Sequence, residues 1–184
     1  SGQSMNKLGT FTQGEDILLI NTNNTFINKT TLSSNGIKIV NANNTIIFSS
    51  TLKNNNNTIV FINSTNNTIN NTAISANYGI IFENSSNNTV INSNINTTET
   101  NTVTIINSNN TNVTKNYLNY NNTYGGDSSV RLIDSSNNII KDNTPLIILL
   151  TNDNYNQYFK NSVLTSNETT IINLASNLYN KDLV

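Results

Sequence analysis

The side chains able to do acid–base or metal chemistry in any number are ten carboxylates: Glu15, Asp16, Glu83, Glu99, Asp127, Asp134, Asp142, Asp153, Glu168 and Asp182. There is no His and no Cys, which removes the commonest general base, the commonest transition-metal ligand and every thiolate site. Most of the acids stand singly. Asp134 takes the place of a repeat Asn and Asp153 falls one position out of register with it in the following copy of the repeat described below, within about 10 Å if copies stack at the strand spacing. Asp127 and Arg131 lie close to them in the chain. Such a neighbourhood could serve a glycosidase-type carboxylate pair or hold Ca²⁺. The plainer reading is preferred: Asp134 stands in for an Asn at a corner, and Asp153 is solvated. No catalytic, cofactor-binding or metal-ligating residue is therefore assigned.

A second candidate is the stretch NYNNTYGGDSS, residues 119–129, which interrupts the repeat with Tyr120, Tyr124, a Gly pair and Asp127. Loops on a regular scaffold often carry binding, and exposed Tyr suits sugar or protein contacts. No Lys-Ser/Thr follows the glycines, so this is not a phosphate loop.

The elements that must position these groups come from an internal repeat, Φ-x-Φ-x-N-x2-N-x2-Φ-x4-Φ, with Φ apolar. One copy is Ile80, Phe82, Asn84, Asn87, Val90, Ile95; the same frame fits from Ile17, Ile37, Ile59, Val103 and Val130, where the sixth copy ends on Pro145. A looser copy starts at Ile148, and a degraded one holds Ile171, Asn173, Tyr179 and Val184. The first Asn recurs in steps of 20, 22, 21, 23, 27, 18 and 21 residues, while the spacing inside a copy is constant. Short runs with apolar residues at every second position read as strands, and this density of Asn, Thr and β-branched residues disfavours helix. The expectation is an all-β chain: a right-handed, single-stranded parallel β-helix of about eight coils of roughly 21 residues.

Asn makes up 45 of 184 residues, a composition that in isolation suggests disorder. Stacked coils give it a role. Asn tolerates the left-handed corner conformation, and an inward amide can bond to the one in the next coil. The expected inward ladder is Asn21, Asn41, Asn63, Asn84, Asn107, Asp134 and Asn152.

Residues 1–16 are expected to cap one end through Leu8 and Phe11, with Ser1-Gly2-Gln3 read as an expression scar; repeats fill 17–184, with an inter-coil loop at 119–129. Nine basic against ten acidic residues, net charge −1, leave no electrostatic footprint for nucleic acid or an anionic membrane. The longest aliphatic run, residues 146–150, is far short of the roughly 20 residues that cross a bilayer. No signal peptide is visible in what reads as a segment of a longer protein.

The units NSSNNTVINSNI, NSTNNTINNTAI and NANNTIIFSSTL resemble the parallel β-helix repeats of Asn/Thr-rich adhesin-like surface proteins of methanogenic archaea, over nearly the whole of 17–184. The resemblance implies an extracellular location at the cell surface or wall and a non-enzymatic segment acting as stalk or adhesive surface, with a glycan or protein of another cell as partner. Similar repeats occur in polysaccharide-active β-helix enzymes (hydrolases, lyases, epimerases), the alternative reading, which would use the acids near Asp127, Asp134 and Asp153.

The first strand of each copy is apolar on both sides. Its outward residues include Ile20, Val40, Ile62, Ile81, Ile106 and Ile133. A strand apolar on both sides is usually covered on both, so this face is expected to meet a second copy, another domain or a partner. Asn-X-Ser/Thr sequons are abundant; those at Asn63, Asn84 and Asn87 should be inaccessible if these side chains point inward. Thr25, Thr45, Thr68, Thr89 and Thr111 follow the Asn pairs at a shifting offset and form no regular Thr-x-Thr face.

Overall fold

Four-residue runs such as IVFI (Ile59–Ile62) and VTII (Val103–Ile106) bury alternate side chains, as a period of two requires. A run this short cannot bury both its ends alone; it gains a core by stacking on its copies. The computed structural model describes residues 3–6, 10–11, 17–33, 35–53, 59–120, 129–144, 148–151 and 157–159. Within them every element is a β-strand, and every strand pairing is parallel.

The strands form three sheets, which the chain visits in turn. Sheet I has seven strands: Ile17–Ile20, Ile37–Val40, Ile59–Ile62, Ile80–Glu83, Val103–Ile106, Val130–Ile133 and Ile148–Thr151. Sheet II has eight, running from Gln3–Asn6 through Thr25–Asn28, Thr68–Asn70 and Thr89–Ile91 to Gln157–Phe159. Sheet III has six, from Thr10–Phe11 through Ala73–Ala76 and Asn94–Thr97 to Tyr117–Tyr120. This is a parallel β-helix, and each strand pairs with the equivalent strand one coil away.

The register aligns equivalent residues. Ile39 lies beside Phe61, Phe61 beside Phe82, and Phe82 beside Ile105. In the five coils from Ile17 to Leu118, sheet I sends two large apolar side chains per coil inward and sheets II and III one each, for example Ile80, Phe82, Val90 and Ile95. All are fully or almost fully buried, and the rings of Phe61 and Phe82 stack with centroids 4.9 Å apart. At about 1.5–3 kcal/mol for each fully buried side chain, these columns dominate the stability of the tube.

All variation in coil length sits in the connection from sheet III back to sheet I. The gap is five residues from Leu32 to Ile37 but eight from Ile95 to Val103. In this connection Gly79 passes so close to the next coil that a Cβ would lie 2.1 Å from the Thr102 carbonyl oxygen. Only glycine fits there.

Two pieces of the N-terminal stretch expected to cover one end are themselves strands. Gln3–Asn6 joins sheet II beside Thr25–Asn28, and Thr10–Phe11 joins sheet III beside Thr31–Leu32. They cover two sheet edges by adding to them, because a strand edge is best satisfied by another strand. Leu8 lies outside the described residues, as do the degraded eighth copy and Pro145.

Candidate functional site

In the six coils from Ile17 to Asp142, left-handed residues make two turns between sheets I and II and one between sheets II and III. Asn21, Asn41, Asn63, Asn84, Asn107 and Asp134 have φ of 47–52°, and the second Asn of each copy, from Asn24 to Asn137, has φ of 55–59°. The turn from sheet II to sheet III uses Lys29, Ser49, Asn71, Asn92, Lys115 and Asp142, with φ of 49–55°. Such φ values cost most L-residues about 1–2 kcal/mol each, and Asn and Asp are the side chains that bear them best.

This geometry corrects the expected ladder. Asn21, Asn41, Asn63, Asn84, Asn107 and Asp134 are exposed, not inward. Positive φ swings the side chain of the corner residue out of the tube, and the residue after it points in. Asn152 lies outside the described residues.

The inward column at the first corner is Ala42, Ser64, Ser85, Ser108 and Ser135, all buried. The Ala42 N–H donates to Ser64 Oγ (3.1 Å), Ser64 N–H to Ser85 Oγ (3.0 Å), Ser85 N–H to Ser108 Oγ (2.8 Å) and Ser108 N–H to Ser135 Oγ (3.1 Å). Each of these Ser hydroxyls donates in turn to the carbonyl two residues back, as Ser85 does to Glu83 (2.8 Å).

True amide ladders occur at the next two inward columns. The backbone and side-chain N–H groups of Asn67 both reach Asn88 Oδ1, at 2.9 and 3.1 Å. Asn116 repeats this on Asn143 Oδ1, at 2.9 and 3.0 Å. Thr45 and Thr111 interrupt the Asn67 column; their hydroxyls have no hydrogen-bond partner among the described residues. Between the two Asn of each copy lies an outer ladder of opposite sense, in which the later coil donates: Thr65 N–H to Asn43 Oδ1 (2.8 Å) and Ser136 N–H to Asn109 Oδ1 (2.7 Å).

The outer face of sheet I is placed as expected. One outward column reads Ile20, Val40, Ile62, Glu83, Ile106, Ile133 in continuous register; its neighbour reads Leu18, Lys38, Val60, Ile81, Thr104, Arg131. Leu18 and Ile20 are 57% and 51% exposed, and Val40, Ile62, Ile81, Ile106 and Ile133 are half-buried by their neighbours in the sheet.

The acidic neighbourhood is described only in part. Asp134 is an exposed corner residue, and Arg131 points outward from sheet I on the same coil; Asp127 and Asp153 lie outside the described residues. Among the described residues no three His, Cys, Asp or Glu come together. The loop expected at 119–129 begins later, because Tyr120 pairs with Thr97 as the last residue of a sheet III strand. Tyr124 lies outside the described residues.

One cluster had no signal in the repeat, since it sits in the variable connection. Glu99 accepts from Asn77 Nδ2 (2.7 Å), and Thr98 Oγ1 donates to Asn77 Oδ1 (3.0 Å). Glu99 also hydrogen-bonds the Tyr78 hydroxyl, and that bond, with the nearby negative charge, holds the phenol above its ordinary pKa of 10.0. The sequons at Asn63, Asn84 and Asn87 prove exposed, contrary to expectation, for the same reason as the corner column.

Together these features define a parallel β-helix whose polar residues lock its corners and whose first sheet presents aliphatic side chains outward. No protein-family model and no curated protein matches the chain. Among solved structures it is similar to the A-module of a mannuronan C-5 epimerase from Azotobacter vinelandii, with 13% identity and a TM-score of 0.39 over 78% of this chain and 54% of that one. The chain thus spans about half the length of that module. It is also similar to a pentapeptide repeat protein involved in heterocyst differentiation regulation from the cyanobacterium Nostoc sp., with 8% identity and a TM-score of 0.20 over 84% and 87% of the two chains. Neither likeness bears on function.

Proposed function

We propose that this chain is a non-enzymatic, rigid β-helical segment of an extracellular surface protein, serving as stalk or adhesive surface toward a glycan or protein of another cell. The observation that supports it best is the unbroken chain of corner bonds from Ala42 through Ser64, Ser85 and Ser108 to Ser135. A corner closed by hydrogen bonds through five successive coils resists hinging, so the stacked strands behave as a spacer of about 35 Å over the seven strands of sheet I. The resemblance of its units to those of adhesin-like surface proteins supports the extracellular location. The test is to immobilise the chain and probe it against a glycan array and against whole cells, alongside hydrolase, lyase and epimerase screens on polysaccharides. Specific retention without turnover is expected. Turnover abolished by Asp134→Asn would replace this reading with the enzymatic one.

A further inference from the structure

We infer that the outer face of sheet I is a homodimer contact, in which a second copy of this chain lies face to face and antiparallel along the coil axis. In this arrangement Lys38 of each copy sits beside Glu83 of the other. The inference goes beyond the stalk reading and rests on the face's own charge pattern.

The first five coils present ten outward side chains on this face, and only two are charged. Lys38 lies in the second coil and Glu83 in the fourth, in different columns. A two-fold axis running along the strand through Val60 and Ile62, in the third coil, carries the second coil of one copy onto the fourth coil of the other. Lys38 then faces Ile81 of the second copy, beside its Glu83. The operation works both ways, so two cation–anion pairs form and no charge is left alone in an aliphatic contact, an outcome that matters because an unpaired buried charge is costly.

Other arrangements fail on the same residues. A parallel pairing sets each coil on its own copy, so that Lys38 meets Val40 and Glu83 meets Ile81, each charge without a partner. An axis through the fifth coil pairs Arg131 with Glu83 but leaves outside the contact Leu18 and Ile20, the two most exposed aliphatic residues among those described. The axis at the third coil covers both, with Ile20 against Ile106.

The footprint is about 24 by 13 Å, from five strand spacings and four residues of strand. With side-chain relief the two copies bury roughly 1,000 Å², at the low end for specific interfaces. The dimer is therefore weak, and forms at about 100 µM chain.

Sedimentation equilibrium from about 1 µM to 1 mM tests this. A monomer–dimer equilibrium is expected, weakened about tenfold by Glu83→Lys and restored when Lys38→Glu is added. Ile62→Thr, on the axis, should weaken it about tenfold as well, while Asn94→Thr on sheet III leaves it unchanged. Independently of these variants, Ile62→Cys treated with a thiol cross-linker of about 10 Å span, the sheet-stacking distance, should trap a dimer, and Ile133→Cys should not. A chain that stays monomeric at about 1 mM would overturn the inference. So would association that ignores both the charge swap and Ile62→Thr, rescue of Glu83→Lys by Arg131→Glu in place of Lys38→Glu, or equal cross-linking at both cysteines.

Discussion

On sheet III the side chains pointing away from the core are Thr31, Thr51, Ala73, Asn94 and Tyr117 in one column and Lys53, Ser75, Asn96 and Asn119 in the next. On sheet I the equivalent columns carry Leu18, Ile20, Val40, Val60, Ile62, Ile81, Ile106 and Ile133, with three charges and one Thr among them. Both sheets stack in the same parallel register over the same kind of inner layer, so strand formation makes the same demand of each. If β-propensity alone filled outward positions, the two faces would look alike. Sheet III instead mixes the strand formers Thr and Tyr with Asn, Lys and Ala, which are poor ones, and puts no Val, Ile or Leu outward in these strands. The aliphatic surface of sheet I is thus not needed to hold the strands, and its cost in exposed apolar area points to something that covers it.

The largest effect should come from what the two faces share. Phe82→Ala removes a ring stacked on Phe61 in the common core and should cost about 3–5 kcal/mol in urea unfolding. Both faces would be lost in a single transition; separate transitions would mean that the sheets are not one unit. Next comes Asn88→Ala, which leaves the buried Asn67 N–H without its acceptor and should cost about 1–3 kcal/mol. At the exposed corner, Asn84→Val should cost about 1–2 kcal/mol and Asn84→Gly very little, because the demand there is positive φ and not an amide. Equal losses from both corner variants would restore a bonding role for that side chain.

Smaller effects sharpen the contrast between the faces. Val60→Thr on sheet I and Asn94→Thr on sheet III should each change stability by no more than about 0.5 kcal/mol. Only the first should reduce binding of an apolar dye by the folded chain. The smallest effect concerns Tyr78, whose proton is held by Glu99. A pKa raised in the folded state means that the folded chain keeps this proton longer than the unfolded one. The contribution is complete below the ordinary value of 10.0 and is lost as pH rises through the folded value. Ultraviolet titration should show one tyrosine moving down toward its ordinary pKa in Glu99→Gln, and an unchanged titration would rule the contact out.

The core was legible because period-two alternation leaves little choice. The repeat's apolar positions from Ile17 to Ile140 are all buried in the structure. Corner directions were not legible, because Asn suits two opposite tasks: it bears positive φ pointing out, and it ladders pointing in. The stretch Asn84-Ser85-Ser86-Asn87-Asn88 contains both kinds, and only the last of its three Asn faces inward. A usable signal was the small residue that follows the corner Asn or Asp, as in Ala42, Ser64, Ser85, Ser108 and Ser135. The corner from sheet II to sheet III was hidden because Lys29, Ser49 and Lys115 share the conformation of Asn71 and Asn92 without sharing their chemistry. The shifting Thr offset has a related cause: Thr25, Thr45 and Thr111 fill inward places, whereas Thr68 and Thr89 begin strands on the outer side of sheet II. The N-terminal strands were missed because QSMN carries a single apolar residue and fits no copy of the repeat.

Residue-resolved amide exchange addresses the closed corners most directly. The N–H groups of Ser64, Ser85 and Ser108 and of Asn67, Ser93 and Asn116 donate to side chains of the next coil. They should exchange as slowly as the amides of Ile80–Glu83, and Ser108→Ala should release Ser85 selectively. Corner amides that exchange at free-peptide rates beside protected strands would show coils that hinge at every turn, and the rigid tube proposed for this chain would be wrong.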